Sequence, residues 1–192
     1  MVISQLTLQE VQEVYRKYLK EDFPSNERKP LRAIEKELRE GRYICYGAKE
    51  DGTILAYAFF VVLPEQTDIG SCYMFDYFAV REDLRGTGIG SRFLQELLRC
   101  QLKDASCVLL EIDDPDYAAD PAEKEKRERR RHFYEINGMI DTGVSVRTFD
   151  VEYRLLEAPV KGTHEQEQVK DYYRRLYQAY LPPAIYRRMI KV

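Results

Sequence analysis

The chain has 192 residues, a length typical of one domain with room for a short appendage. Lys and Arg number 30 against 33 Asp and Glu, so the formal net charge is −3. This near-balance argues against a dedicated nucleic-acid binder, which carries a strong basic excess. The 15 Tyr and 8 Phe supply too much apolar surface for an intrinsically disordered chain.

The sequence carries no signal for a membrane, for secretion or for a metal. It has no apolar run of about 18 residues, and residues 1–10 lack the basic and apolar regions of a secretion signal. The cysteines form no Cys-x-x-Cys pair, which is typical of reduced thiols in a cytoplasmic protein. They are Cys45, Cys72, Cys100 and Cys107. With only His132 and His164 as imidazoles, we expect no metal site.

The first forty residues predict one strand and two helices. Residues 1–6 alternate weakly, as a strand does. Thr7 and Glu10 have the spacing of a capping box, which starts a helix that breaks at Asp22. A second helix follows Pro30 and ends at Gly41, because proline favours a helix start and glycine a helix end.

Three β-rich runs follow, at residues 42–49, 53–63 and 71–80. Asp51-Gly52 joins the first two and is a strong hairpin signal. The third run leads into a glycine-rich turn and then into a helix that begins near Ile89.

The second half alternates strands and helices. Residues 107–112 are a nearly continuous apolar run, typical of a strand buried on both faces. Residues 121–136 predict a charged helix closed by Asn137-Gly138, and two strands follow at 139–146 and 148–156. A last helix is predicted over 166–180, stopped by Pro182-Pro183. This order of elements predicts a mixed α/β (α+β) sheet rather than a doubly wound one.

The glycine-rich turn Arg85-Gly86-Thr87-Gly88-Ile89-Gly90 is the sharpest chemical feature of the sequence. A backbone without Cβ atoms can approach a ligand closely, and main-chain N–H groups at a helix N-terminus attract an anion. With the positive charge of Arg85, the pattern indicates a pyrophosphate site. The turn is no P-loop, because it has no lysine, and no dinucleotide fingerprint, because Ser91 stands where the third glycine is needed.

Two landmarks together resemble the GNAT acetyltransferase superfamily. Arg85-x-x-Gly88-x-Gly90 after a strand ending at Val80 is similar to its acetyl-CoA signature, and residues 133–139, Phe-Tyr-Glu-Ile-Asn-Gly-Met, to its second landmark. The resemblance covers about residues 1 to 155. It implies a mixed, mostly antiparallel sheet that is splayed between strands 4 and 5 and flanked by helices. It also implies acetyl-CoA as co-substrate, an amine as acceptor and no metal.

The resemblance also implies roles for single residues. The loop binds the CoA pyrophosphate, the end of the preceding strand binds pantetheine through its main chain, and Tyr134 protonates the departing thiolate. Arg127 stands where many members carry a cofactor-binding asparagine, and Arg130 stands where a small residue is frequent; the CoA 3′-phosphate is a candidate partner for such an arginine. The residues assigned to the cofactor are Phe78, Ala79, Val80, Arg85, Gly86, Thr87, Gly88, Ile89, Gly90, Ser91 and Arg127.

Three carboxylates are candidates for handling the acceptor amine. Asp76 shares a strand face with Phe78 and Val80 if the alternation is regular. Glu111 lies in an apolar run, where burial raises the pKa of a carboxyl group. Glu27 resembles an acidic acceptor-loop position of bacterial members. The alternatives are a solvated or ion-paired carboxylate in each case, and an amine that arrives already deprotonated.

The sequence thus predicts direct acetyl transfer to an amine, preferably of a small molecule, without a covalent enzyme intermediate. The alternatives are a CoA-binding regulatory module without activity and a transferase that acts on protein or RNA. The basic run at 124–131 favours the last, but interleaved glutamates indicate a solvated helix face instead. Residues 1–156 are expected to form the acetyltransferase domain. Residues 157–192 are expected to form a helical extension, whose tyrosines pack on that domain or on a second subunit in a homodimer.

Overall fold

The computed structural model describes residues 1–25, 27–63 and 70–192. Within them, strands form one sheet in the order β1-β2-β3-β4-β5-β7-β6-β8. The strands are β1 (Val2–Gln5), β2 (Tyr43–Glu50), β3 (Thr53–Leu63), β4 (Cys72–Val80), β5 (Cys107–Asp113), β6 (Ile140–Thr148), β7 (Val151–Glu157) and β8 (Ile190–Lys191). The α-helices are α1 (Leu8–Val14), α2 (Lys20–Asp22), α3 (Leu31–Arg39), α4 (Ile89–Glu96), α5 (Pro121–Ile136), α6 (Gln166–Tyr180) and α7 (Pro183–Met189). A wide π turn at Tyr15–Leu19 joins α1 to α2, and another at Leu97–Gln101 extends α4.

Local signals in the sequence set the ends of these elements. Thr7 caps α1 in the predicted capping box with Glu10, so the helix starts where its first N–H groups find acceptors. Asp51 and Gly52 both have positive φ, as the tight hairpin between β2 and β3 requires. Gly138, with φ of +91°, ends α5 at the predicted position. These three predictions are confirmed.

The sheet opens between β4 and β5. These strands are parallel, and their register pairs cover only Cys72–Met74 with Cys107–Leu109. Beyond Met74, β4 continues beside β3, while β5 continues beside β7. Among the described residues, the edge of β4 from 75 to 80 that faces β5 therefore has no partner strand. The predicted mixed, mostly antiparallel sheet with a splay at this point is confirmed.

Each face of the sheet carries its own apolar core. One core packs α1, α3 and α6 against the sheet, with Ile34 and Tyr173 fully buried. The other packs α4 and α5 against the opposite face, with Phe93 and Tyr134 buried. We call these the α6 face and the α4 face. β3 and β5 are buried along most of their length, which explains their apolar runs.

The C-terminal residues add more structure than the sequence predicts. Pro182 and Pro183 end α6 as expected, but Pro183 then starts α7. Proline fits the first turn of a helix, where its missing N–H would have no acceptor. β8 then pairs with β6 through Thr148 and Ile190. No helix in the described part of the chain is long and apolar enough to cross a membrane.

Candidate active site

The glycine loop presents a row of main-chain donors at the start of α4. Gly86 and Gly88 have φ of +77° and +85°, a conformation that glycine adopts without strain. The first helical carbonyl of α4, that of Gly88, accepts from Arg92 N at 3.1 Å. The amides of residues 89–91 thus precede the helical hydrogen-bond ladder and, with the helix dipole, are suited to bind an anion.

The side chains of the loop are engaged within the protein. Arg85 Nη2 donates to Asp22 Oδ1 at 2.6 Å, and Arg85 Nε donates to the carbonyl of Val80 at 3.1 Å. Thr87 Oγ1 donates to a carbonyl of the same loop. Arg85 also lines a cavity of about 530 Å³ with Asp22 and Arg81. Arg85 and Thr87 also donate their main-chain N–H groups within the loop, so the amides of residues 89–91, rather than the Arg85 charge alone, are the donors left for a ligand.

Gly88 offers a direct test of the loop backbone. Alanine at this positive φ is expected to cost about 1–2 kcal/mol of folding free energy and to displace the amides that follow it. We expect CoA to bind Gly88→Ala at least about tenfold more weakly in isothermal titration calorimetry. Gly41→Ala is the matched control, since Gly41 has φ of +70° and, like Gly88, open space for a Cβ. Equal CoA affinity in the two variants would contradict the assignment of the loop.

Close packing at Gly90 joins the loop, the open strand edge and α5. A Cβ atom built on Gly90 would lie 3.1 Å from Val80 Cγ2 and 3.4 Å from Phe133 Cζ. The ring of Tyr134, next to Phe133, lies 6.1 Å from the ring of Phe78 on β4. The structure therefore brings Phe78, Val80, the loop and Tyr134 together on the α4 face, beside the splay.

Tyr134 is buried next to the guanidinium of Arg130. Burial raises the pKa of the Tyr134 phenol, while the charge and hydrogen bond of Arg130 oppose the rise. Arg130 is half-exposed and also lies 3.8 Å from the Asp113 carboxylate at the end of β5. The phenol is thus protonated at neutral pH, and the Arg130 guanidinium lies close enough to stabilise a phenolate at Tyr134. The sequence marked Arg130 as unusual and as a candidate partner of the CoA 3′-phosphate, which stays a prediction. Its contact with Tyr134 follows from their i,i+4 spacing on one helix.

Asp76 does not lie on the face that regular alternation predicts. Phe59 pairs with Tyr77 and Phe60 pairs with Phe75, so Asp76 is the extra residue of a β-bulge. The bulge turns Asp76 toward the α6 face, where Tyr43 donates a hydrogen bond to it. The prediction that Asp76 shares a face with Phe78 and Val80 is therefore wrong.

Lys29 fills an ammonium-binding cage beside Asp76. Its Nζ lies 2.8 Å from Asp76 Oδ1, 4.3 Å from the ring centre of Tyr180 and 5.4 Å from that of Tyr43. Burial opposes the charged form, but the attraction of Asp76 and Tyr180 outweighs it, so the pKa of Lys29 is raised. The cage shows that a protonated amine is stable on this side of the splay. No sequence pattern marked Lys29.

Lys29→Met tests how much the contact between Lys29 and Asp76 contributes to the free energy of unfolding. Removal of one partner of a buried pair costs about 3–5 kcal/mol. A quarter of the Lys29 side chain is exposed, so we expect a loss of about 1–3 kcal/mol in chemical denaturation. Lys17→Met, which breaks the exposed pair with Glu13, is expected to leave stability unchanged. Equal stability of the two variants would show that the cage contributes nothing to folding.

Glu111 also points to the α6 face, where the tail of the chain covers it. Tyr173 donates a hydrogen bond to Glu111, and Tyr177 Oη lies 3.0 Å from both carboxylate oxygens. Burial raises the pKa of Glu111 against these two hydrogen bonds, as its apolar surroundings in the sequence predict. Tyr173 and Tyr177 thus hold Glu111, a candidate base, in place, although both lie more than sixty positions away in the sequence.

Glu27 and Arg127 also have hydrogen-bond partners within the protein. Glu27 is exposed, and its carbonyl accepts a hydrogen bond from Tyr77 at 3.1 Å. Arg127 binds Glu123 at 3.0 Å and the carbonyl of Asp114 at 2.8 Å. The roles of Glu27 toward the acceptor and of Arg127 toward the cofactor stay predictions. Ser91 Oγ, assigned to the cofactor as well, accepts from Asn137 Nδ2 at 3.1 Å.

A sheet opened at its parallel strand pair, with a glycine loop beside the opening, is the architecture of acyl-CoA-dependent acetyltransferases. The model of the acetyltransferase (GNAT) family matches residues 8–138, well over half of the chain. The chain belongs to this family. Among curated proteins, no sequence matches it.

Solved structures share this fold at low sequence identity. A GNAT-family protein from Bacteroides thetaiotaomicron is 19% identical with a TM-score of 0.69, covering 94% of this chain and 98% of that chain. The ribosomal-protein-S18-alanine N-acetyltransferase from Escherichia coli is 17% identical with a TM-score of 0.59, covering 86% and 96%. A chimera of spermidine N-acetyltransferase SpeG from Vibrio cholerae and hSSAT is 9% identical with a TM-score of 0.59, covering 83% and 95%. At these identities the likeness concerns the fold alone.

Proposed function

We propose that the protein transfers the acetyl group of acetyl-CoA to an amine that is cationic in solution. One observation carries the proposal: the unpaired edge of β4 runs between a loop of free amides and a buried tyrosine. Bound acetyl-CoA supplies an activated acyl thioester. The amides of residues 89–91 fit its pyrophosphate, and the main chain of residues 78–80 fits its pantetheine arm.

The two faces of the splay have different roles in the proposed reaction. On the α4 face, Tyr134 donates its phenolic proton to the departing thiolate, and Arg130 stabilises the phenolate that remains. A main-chain N–H on the open edge of β4 stabilises the negative charge that develops on the carbonyl oxygen. On the α6 face, Asp76 and Glu111 attract the ammonium form of the acceptor, and one of them takes its proton.

The acceptor class follows from the charge on the α6 face. Two carboxylates and several tyrosine rings lie there, and Lys29 already binds among them as a protonated amine. The structural neighbours include enzymes named for a protein acceptor and for spermidine, so the fold accommodates both classes. We favour a small cationic amine, because the tyrosines of α6 cover much of this face and leave little room for a folded protein.

The test combines CoA binding with an amine panel. Calorimetry is expected to give one CoA per chain, and acetyl-CoA with polyamines, amino acids, aminoglycosides and peptides is expected to release free thiol with at least one amine. Absence of heat with CoA would refute the proposal. Binding of CoA without thiol release from any amine would favour the regulatory module over the enzyme.

A further inference from the structure

Three side chains with metal-binding atoms meet beside Cys72, at the end of β4 opposite the glycine loop. Cys72 starts β4 and pairs in register with Cys107, which starts β5. Glu157 ends β7, and His164 lies in the connection between β7 and α6. The Sγ of Cys107, a carboxylate oxygen of Glu157 and a ring nitrogen of His164 all lie within 4.8 Å of one another. Cys72 lies next to this group as the register partner of Cys107 on the neighbouring parallel strand.

The cluster is buried, and the acetyl-transfer site does not use it. Cys72, Cys107 and Glu157 are 0%, 2% and 1% exposed. Cys107 Sγ lies 3.7 Å from Glu157 Oε1, and His164 binds the same carboxylate through Nδ1 and through its main-chain N–H. A buried carboxylate needs a partner, and here the His164 imidazole and main-chain N–H supply it.

A nucleophilic role for Cys107 does not fit this geometry. In a cysteine–histidine pair the imidazole must accept the thiol proton, whereas here the thiol faces the carboxylate. A buried sulfur beside a carboxylate and an imidazole is instead a set of donors that a metal ion can use.

The donor set matches zinc. Zinc binds thiolate sulfur at about 2.3 Å and imidazole nitrogen or carboxylate oxygen at about 2.0–2.2 Å, so the ligand atoms of a tetrahedral site lie roughly 3.3–3.8 Å apart. Cys107 Sγ and Glu157 Oε1 are already 3.7 Å apart, and the separations of up to 4.8 Å within the group must contract by about 1 Å when the ion binds. Sulfur and imidazole also favour zinc over magnesium or calcium.

We propose that Cys72, Cys107, Glu157 and His164 form a closed, four-coordinate structural zinc site. Binding forms two Zn–S bonds, one Zn–N bond and one Zn–O bond, and the two thiols release their protons to solvent. Two thiolates and one carboxylate against Zn²⁺ leave one negative charge at the site. Tyr172 packs its ring edge-on against the His164 imidazole at 4.9 Å and orients it. This proposal departs from our expectation from the sequence that no metal binds.

The site would fasten the C-terminal segment to the sheet. Cys72, Cys107 and Glu157 lie on three adjacent strands, while His164 lies two residues before α6 begins. α6 supplies Tyr173 and Tyr177 to Glu111. Zinc at the base of α6 would therefore hold this helix over the acceptor side, whether or not the acetyl-transfer proposal is correct.

The experiment titrates zinc alone into reduced full-length protein that has been stripped with a chelator. We expect one tightly bound Zn²⁺ per chain in competition with a chromophoric chelator, and a higher melting temperature in its presence. Co²⁺ in place of Zn²⁺ is expected to show thiolate-to-cobalt charge-transfer absorption. Loss of contacts around a metal already weakens binding about 10–100-fold, so loss of a ligand in Cys107→Ser or His164→Gln should weaken it at least about 100-fold.

Cys100→Ser and His132→Gln are the matched controls, because both side chains are exposed and lie outside the cluster. They are expected to bind zinc as the unaltered protein does. If Cys107→Ser fails to fold, His164→Gln, which changes a partly exposed side chain, and the Co²⁺ spectrum still decide the question. Substoichiometric zinc, a cobalt spectrum without thiolate absorption, or undiminished binding in His164→Gln would each show an ordinary hydrogen-bonded cluster.

Discussion

Tyr134→Phe is expected to lower kcat by about 10²–10⁴-fold and to leave CoA affinity unchanged. The leaving thiolate needs a proton, and the phenol of Tyr134 is the acid that stands on the α4 face of the splay. Phenylalanine keeps the ring contact with Phe78 at 6.1 Å, so the packing of this face survives. Steady-state kinetics with the best amine of the panel, together with CoA calorimetry, measure the two effects separately.

The pH profile adds a second readout for Tyr134. A general acid works below its pKa, and burial raises the pKa of Tyr134 above the ordinary value of about 10. Loss of the acid form is therefore expected only in strongly alkaline solution, and Tyr134→Phe should remove that alkaline limb. Tyr46→Phe is the matched control, since Tyr46 is a buried tyrosine of the same core whose pKa burial raises to about 12. Equal kcat in the two variants would remove Tyr134 from the mechanism.

Local signals predicted most of the fold, because they depend on neighbouring residues. The capping box at Thr7, the hairpin at Asp51-Gly52 and the end of α5 at Gly138 each follow from backbone chemistry within a few positions. The splay came from the resemblance to a family, since neither periodicity nor spacing shows that two strands diverge. The residues of the glycine loop indicated a pyrophosphate site by themselves, and the resemblance added CoA as the ligand.

Most errors and omissions concern contacts between distant parts of the chain. The bulge places Asp76 on the α6 face instead of the α4 face, and no local sequence pattern predicts the bulge. Lys29 reaches Asp76 and Tyr180 only after folding, and the cysteines, Glu157 and His164 are far apart in sequence. A count of histidines therefore says little about the proposed zinc site, whose sulfur and oxygen ligands would come from the sheet.

Glu111→Gln is expected to lower kcat/KM for a cationic amine by about 10²–10⁴-fold if Glu111 is the base that takes the amine proton. A base works above its pKa, and burial raises the pKa of Glu111. Activity should thus rise with pH through that raised value, and the variant should lose this dependence. Asp76→Asn serves as the comparison. A profile that Glu111→Gln leaves unchanged and Asp76→Asn alters would assign the proton transfer to Asp76.

Glu111→Gln is expected to raise stability at pH 8, although it is expected to lower activity. Because the pKa of Glu111 is raised in the folded protein, the native state binds its proton more tightly than the unfolded state does. The stabilisation is complete below the unfolded pKa of about 4.3 and is lost as pH rises through the folded pKa. Glutamine stays neutral at every pH and can still bind the hydroxyls of Tyr173 and Tyr177.

We therefore expect Glu111→Gln to melt at a higher temperature than the unaltered protein at pH 8, with the difference shrinking in acid. Glu125→Gln, on the exposed face of α5, is the control and should show no such trend. A lower melting temperature for Glu111→Gln at pH 8 would mean that the two tyrosine hydrogen bonds outweigh burial. In that case Glu111 would serve to hold α6 on the sheet. A higher one, together with lost activity, would show that the protein keeps a destabilising carboxylate because the acceptor amine needs it.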